Sequence, residues 1–371
     1  MKPETGRAAV MTEYGVPMQL MDLPVPEPEP GALVVTIDVA TVCGTDVHLW
    51  EGHLSRVLPV HLPLILGHEM VGIVTAVGDG ADRDSIGEAV GIGSRVVWAH
   101  AACQHCLMCT VDRQPSLCPN RYYGHFADCS KPPFFTGAFG EYCYVVPAAQ
   151  RLVVPDDVES AWAAASSCAL RTVMQATTVA GRVDFLDSVV VQGAGPVGLF
   201  TTAAMSVHGP RHLIVIGGPD DRLEIARAWG ATHTISIMEH PDPAERLALV
   251  RSITGAGPTV AFEASGAPGA VPQGVDMMRP NGRYILIGTI GGDPQVVDVA
   301  RITTRGLRVT GSFSGEIDAY YKALQFLRTY RDRFDWDRML GRRYGLGAVT
   351  DALNAMKRME EMKPVIVPSL N

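Results

Sequence analysis

Cys103, Cys106, Cys109 and Cys118 fall within sixteen positions of the chain. Thiolates are soft ligands, and four at this spacing can close a tetrahedral shell, the arrangement of a structural zinc site. A closed shell leaves no place for a substrate, so its work is to fold the segment that carries it. His105, between two of the cysteines, reads as solvent-facing. A redox pair is the competing reading, and the crowding of four thiols argues against it.

A second set is scattered. Cys43-Gly44-Thr45-Asp46-Val47-His48 and Gly67-His68-Glu69 offer a thiolate and an imidazole with polar groups beside them. A catalytic zinc keeps three protein ligands and one open position. Cys43 and His68 supply two. Cys168, in Ser167-Cys168-Ala169-Leu170-Arg171-Thr172, can supply the third, and Glu69 is either a competing ligand or a group behind the ligands. Arg171 reads equally as a partner for an anion or as half of a structural ion pair. Cys129 and Cys143 have no partner at recognisable spacing and read as ordinary thiols.

A third constellation binds anions. Val189-Val190-Val191-Gln192-Gly193-Ala194-Gly195-Pro196-Val197-Gly198 runs from an apolar strand through a G-x-G-x-x-G turn into a helix. Gly193 permits the tight turn, Gly195 clears the pyrophosphate, and Gly198 lets the helix lie close on the strand. Pro196 and Val197 open that helix, whose free N–H groups and dipole favour an anion. At the end of the following strand, Gly217 stands where a ribose-gripping carboxylate is usual. Asp220 and Asp221 follow and would repel a 2′-phosphate, while Arg222 is the only nearby cation, so NAD is expected ahead of NADP.

Elements must position these groups. The first 165 residues or so read as all-β, with short strands at 33–39, 71–77, 95–98 and 142–146 separated by Gly, Pro and Asp clusters. Two long loops interrupt them, 78–93 and 100–137, and the second carries the cysteine cluster. A loop of that length needs an organiser, which a metal supplies. From about residue 187 the rhythm becomes strand–helix alternation. Strands are expected at 188–192, 213–216, 234–237, 260–263 and 284–287, and helices at 196–208, 221–229, 243–252 and 269–278. Near-continuously apolar strands in βα units imply a parallel sheet covered on both faces. Helices at 319–330 and 349–359 and a strand at 364–368 close the chain.

Length and composition fit this division. A chain of 371 residues exceeds what one hydrophobic core usually serves, and 47% hydrophobic with 19% charged residues suits two packed domains. Net charge is −8 with no Lys/Arg block, which argues against a nucleic-acid partner. No run of about 18 apolar residues suggests a membrane span. The first residues, MKPETGRAAV, lack the apolar centre of a signal peptide. A cytoplasmic, reducing location with free or metal-bound thiols is therefore expected.

In this order the motifs resemble those of the zinc-containing medium-chain dehydrogenase/reductases, the family of alcohol, sorbitol and threonine dehydrogenases. The likeness rests on Cys43-Gly44-Thr45-Asp46 with His48, Gly67-His68-Glu69-x-x-Gly72 with Gly78, the four-cysteine segment, the G-A-G-P-V-G turn and Glu263-Ala264-Ser265-Gly266. It spans nearly the whole chain. It implies an α/β plus β architecture: a GroES-like, β-rich catalytic domain over 1–165 and 312–371, and a doubly wound Rossmann coenzyme domain over 166–311. It further implies that Cys43, His68 and Cys168 hold catalytic zinc, with Asp46 orienting His68. Thr45 would take the substrate hydroxyl proton and pass it through the coenzyme ribose to His48. Thr172 would lie near the nicotinamide and Gly266 at the coenzyme.

The implied activity is hydride transfer between a small alcohol, with a secondary alcohol, polyol or cyclitol all open, and the coenzyme, in a homo-oligomer. Trp50, His53, His61 and His125 fall near segments that line the cleft in this family. A cysteine rather than an acid at the third ligand position leans toward alcohol-type chemistry. Three departures stand out: the last structural cysteine sits one position late, 79–92 looks inserted, and Gly217 replaces the carboxylate. A catalytically silent relative and a zinc-independent quinone or enoyl reductase are the rival readings; both sit poorly with intact ligand sets.

Overall fold

Strand Leu33–Thr41, buried over most of its length, is the spine of the first unit. Its apolar residues face neighbours on both edges, because Met70–Val77 and Tyr142–Val145 each pair with it antiparallel. In this computed structural model, which describes residues 4–55, 60–288 and 294–370, these strands belong to a seven-stranded sheet. Its path runs Leu340–Tyr344, Lys363–Ile366, Leu33–Thr41, Met70–Val77, Arg95–Trp98, Arg151–Val153. A three-stranded sheet of Gln19–Pro24, Thr5–Met11 and Leu64–Ile65 completes the β-rich unit. The last strand, Lys363–Ile366, returns the C-terminal segment to Leu33–Thr41 and so brings Lys363 to Glu69.

The second unit is a six-stranded parallel sheet in the order His233–Ser236, His212–Gly217, Ser188–Gln192, Val260–Glu263, Arg283–Leu286, Arg308–Gly311. Ser188–Gln192 is buried throughout because it is central, paired on both edges. Chain order reverses at this strand, which is where a doubly wound sheet binds its ligand.

By contacts the units are Met1–Arg171, Gly315–Thr329 and Met339–Asn371 for the first, and Thr172–Ser314 with Tyr330–Arg338 for the second. This differs from the sequence reading in three places, the shortest being residues 312–314, which fall in the second unit. Residues 166–171, with Cys168, go to the first unit. Residues 330–338 go to the second, because Trp336 and Phe334 pack on Trp229 with ring centroids 5.1 and 6.0 Å apart. The loop at 79–92 is organised by Asp84: Oδ1 of this buried carboxylate accepts from the N–H groups of Ile86 and Glu88, each at 2.9 Å, and Oδ2 accepts from Val153 N–H at 3.0 Å. Among the described residues no helix is long and apolar enough to cross a membrane.

Candidate metal and coenzyme sites

The four-cysteine segment is not structureless. Helix Leu107–Thr110 and the 3₁₀ turn Pro115–Leu117 fold it back on itself. Sulfur pairs lie 3.5 Å apart for Cys106–Cys109 and Cys103–Cys118, and 3.8 Å for Cys106–Cys118. Disulfide sulfurs would be about 2.05 Å apart. A tetrahedron with metal–sulfur bonds of about 2.3 Å has edges of about 3.8 Å, which this set matches. The thiols are driven apart in acidity, with Cys103 lowered to about 6, chiefly by the backbone N–H of His105, and Cys109 pushed up to about 12 by burial and by Cys106. Four sulfurs so close can hold a cation once they are thiolates. His105 is exposed, as the sequence suggested.

The second set also converges. Cys43, His68, Glu69 and Cys168 place ligand atoms within 4.8 Å of one another. Cys43 sits just before the helix Gly44–Trp50, and its N–H donates to Asp46 Oδ2 at 2.9 Å. Asp46 Oδ1 accepts from the N–H of Gly67 and faces His68 Nδ1, both at 3.1 Å. One fully buried carboxylate therefore ties both ligand-bearing segments together and leaves Nε2 of His68 to a metal. Burial works against the charge on Asp46, but the His68 ring and the Cys43 N–H outweigh it and hold the carboxyl below its ordinary range.

Cys168 comes from an irregularity. Ser166–Leu170 is a π-turn between helices Ser160–Ala165 and Arg171–Ala180. Such turns concentrate at functional sites. The hydrogen bond between the two thiols, with burial, pushes Cys43 up to about 12, whereas Cys168 is lowered. A divalent cation held by both sulfurs would favour both as thiolates.

Glu69 belongs to this cluster, yet its oxygens are engaged. Oε2 accepts from Thr41 Oγ1 at 2.6 Å, and Lys363 Nζ bridges both oxygens. Lys363 was invisible to the sequence reading because nothing in its segment is patterned for chemistry. Burial alone would discharge it; the charges of Glu69, Cys43 and Cys168 hold it as an ammonium.

Among the other candidates, His125 is buried and stacks on His68 at 4.7 Å, and His100 lies 5.1 Å from His125. Burial and the surrounding cations keep both well below the ordinary histidine value, hence neutral. His100 was missed in the sequence. Trp50 is in the core, its Nε1 donating to Val16 C=O at 2.6 Å, while His53 and His61 are exposed. Thr45 Oγ1 lies 3.8 Å from Cys43 Sγ. His48, one helical turn on, is exposed. The guanidinium of Arg171 is buried over the Tyr320 ring at 4.7 Å, with Glu316 and Cys168 as its charged neighbours.

In the second unit the glycine turn has the required shape. Gly193 has φ +114°, and Gly198 approaches so closely that an added Cβ would come 1.9 Å from Gly193 O. Beside Gly195 nothing lies within 4 Å, the open space that a pyrophosphate needs. Pro196 and Val197 begin helix Pro196–Ser206. A Cβ at Gly217 would lie 2.8 Å from the backbone nitrogen of Ala194, so glycine there is a packing requirement of the turn. Asp220 Oδ1 accepts from Ser236 Oγ at 2.7 Å, and Arg222 is buried. Glu263 Oε1 accepts from the N–H groups of Ser265 and Gly266, both at 2.8 Å, which fixes the loop carrying Gly266. Thr172 lies in the first turn of Arg171–Ala180.

Comparison with known proteins agrees with this geometry. Residues 29–156 match the alcohol dehydrogenase GroES-like domain, and residues 196–329 match the zinc-binding dehydrogenase domain. The chain is 32% identical to 5-exo-hydroxycamphor dehydrogenase of Pseudomonas putida over 98% of its own length and 99% of that protein's. It is 30% identical to L-threonine 3-dehydrogenase of Idiomarina loihiensis, over 84% of this chain and 86% of that one. The crystal structure of an alcohol dehydrogenase from Thermotoga maritima superposes with a TM-score of 0.91 at 28% identity, covering 98% of this chain and 100% of the other. With both domains of the family matched and a relative 32% identical along nearly the whole chain, the chain belongs to the zinc-containing medium-chain dehydrogenase/reductases and is a zinc-dependent alcohol oxidoreductase.

Proposed function

We propose that Cys43, His68 and Cys168 hold the catalytic zinc and that the chain oxidises a secondary alcohol with NAD. The observation that carries this is the convergence of those three ligand atoms, with Asp46 on the far nitrogen of His68. Bound there, zinc would polarise the alcohol oxygen while the nicotinamide accepts hydride. The chain's own residues do the rest. Asp46 fixes the tautomer of His68, Thr45 takes the hydroxyl proton, and His48 receives it one turn along the same helix. Glu69, paired with Lys363, stands behind the ligands. Cys103, Cys106, Cys109 and Cys118 hold a second, structural zinc.

Secondary alcohols are supported by the two curated relatives, whose names specify a hydroxycamphor and the 3-hydroxyl of threonine, both secondary carbinols. NAD is supported by Asp220 and Asp221 in the first turn after Gly217. They place negative charge where a 2′-phosphate would approach. Gly193, Gly195, Pro196, Val197 and Gly198 receive the pyrophosphate, with Thr172 and Gly266 toward the nicotinamide end. A homo-oligomer in the cytoplasm, carried by the resemblance, completes the proposal.

The test is metal analysis joined to kinetics. Wild type should contain two zinc ions per chain, and Cys43→Ala should lose one ion together with turnover of secondary alcohols. A Cys43→Ala enzyme with undiminished kcat would refute the ligand assignment.

A further inference from the structure

We infer that His48, Glu51 and His53 form a third, reversible site for a divalent transition metal, distinct from both cysteine-containing sets. Among the described residues it is the only other group of three such side chains with ligand atoms within 4.8 Å of one another. Two imidazoles and a carboxylate are the donor set that zinc, nickel and copper favour.

The backbone builds the group. Helix Gly44–Trp50 ends at Glu51, Gly52 takes φ +78°, and the chain doubles back so that His53 N–H donates to His48 C=O at 2.9 Å. The two imidazole rings are thereby held with centroids 5.9 Å apart. Glu51 Oε2 lies 3.5 Å from His53 Nδ1. Its other oxygen accepts from Lys357 Nζ at 2.6 Å, which leaves Oε2 on the histidine side. Zinc with nitrogen and oxygen ligands at about 2.0–2.1 Å needs donors about 3.4 Å apart. Small rotations of these side chains supply that. His48 and His53 are exposed, so water completes the shell and the ion exchanges freely, unlike one in a closed thiolate cage.

Occupation would take the lone pair of His48. That consequence alone rests on the relay role proposed for His48; the site itself does not. Surplus metal would then slow an enzyme whose thiolate sites are already filled.

Equilibrium dialysis of zinc-loaded holoenzyme against micromolar Zn2+ tests the site, with turnover measured on the same samples. Wild type should take up one further ion per chain. His53→Gln should keep its basal rate and weaken this ion by about tenfold or more, and Glu51→Gln should weaken it as well. Absence of the further ion in wild type, or its undiminished uptake by His53→Gln, overturns the site. Uptake that His53→Gln removes, with no slowing of wild type, upholds the site and removes His48 from the relay.

Discussion

Lys363 and Glu69, separated by 294 positions, form an ion pair in which the two side chains are only 1% and 0% exposed. Removing one member of such a pair leaves an unpaired buried charge, at about 3–5 kcal/mol. Lys363→Met should destabilise the metal-loaded protein by that order in denaturant unfolding, with Lys363→Arg milder. Burial pushes the Glu69 carboxyl up to about 8 even with the lysine present. An unchanged midpoint for Lys363→Met would mean that the folded protein carries Glu69 protonated.

Cys106→Ser opens the four-sulfur shell. Structural zinc contributes its binding energy directly to folding, so the variant should lose zinc, fall in thermal midpoint and turn more susceptible to proteolysis within 100–137. Retention of full zinc content with an unaltered melting curve would show that the segment folds without the ion.

His48→Gln separates the proton route from binding. Partial desolvation of the ring by its neighbours, aided by His53 and opposed by Glu51, lowers the pKa of His48 from its ordinary value. The neutral, proton-accepting form therefore persists down to that lowered value and is lost only below it. Alcohol oxidation by the variant should be slower by on the order of a hundredfold near neutral pH. The gap should narrow as rising hydroxide takes the proton directly. Parallel pH–rate profiles for the two enzymes would exclude His48 as the acceptor, while zinc content and NAD affinity serve as controls.

Coenzyme choice is open to the same treatment. Asp221→Arg, at an exposed position in the first turn of Asp220–Ala228, should shift the kcat/KM ratio toward NADP by about tenfold or more, about 1.4 kcal/mol. Wild type should prefer NAD. Gly217→Asp, the obvious sequence-inspired change, should instead weaken both coenzymes, because its Cβ would press on Ala194. A wild-type preference for NADP would overturn the assignment.

Much of this is legible in the sequence alone. Ligand spacing, the glycine turn and the alternation of apolar strands with helices are local signals, and they locate strands of the seven- and six-stranded sheets and every cysteine in the two clusters. What escaped is non-local. Lys363 acquires its meaning only when the last strand pairs with Leu33–Thr41. His100 matters through the ring stack with His125 and Tyr123. The transfer of 330–338 to the second unit follows from aromatic contacts that no periodicity announces. Strand Thr5–Met11 is mostly buried, yet its apolar run, Ala8–Met11, is only four residues long and gives no alternation to read.

The π-turn at Ser166–Leu170 carries a consequence for how such a site can be lost. A π-turn is a helix with one residue too many, and each residue of an α-helix advances the side chain by about 100°. Deleting one residue N-terminal to Cys168 within the turn would let Ser160–Ala180 relax into a regular helix, with its hydrogen-bond ladder intact and Cys168 swung away from Cys43 and His68. The scaffold would survive while the third ligand departed. A single-codon deletion would thus remove the proposed third ligand while the fold and the four-cysteine set stayed in place.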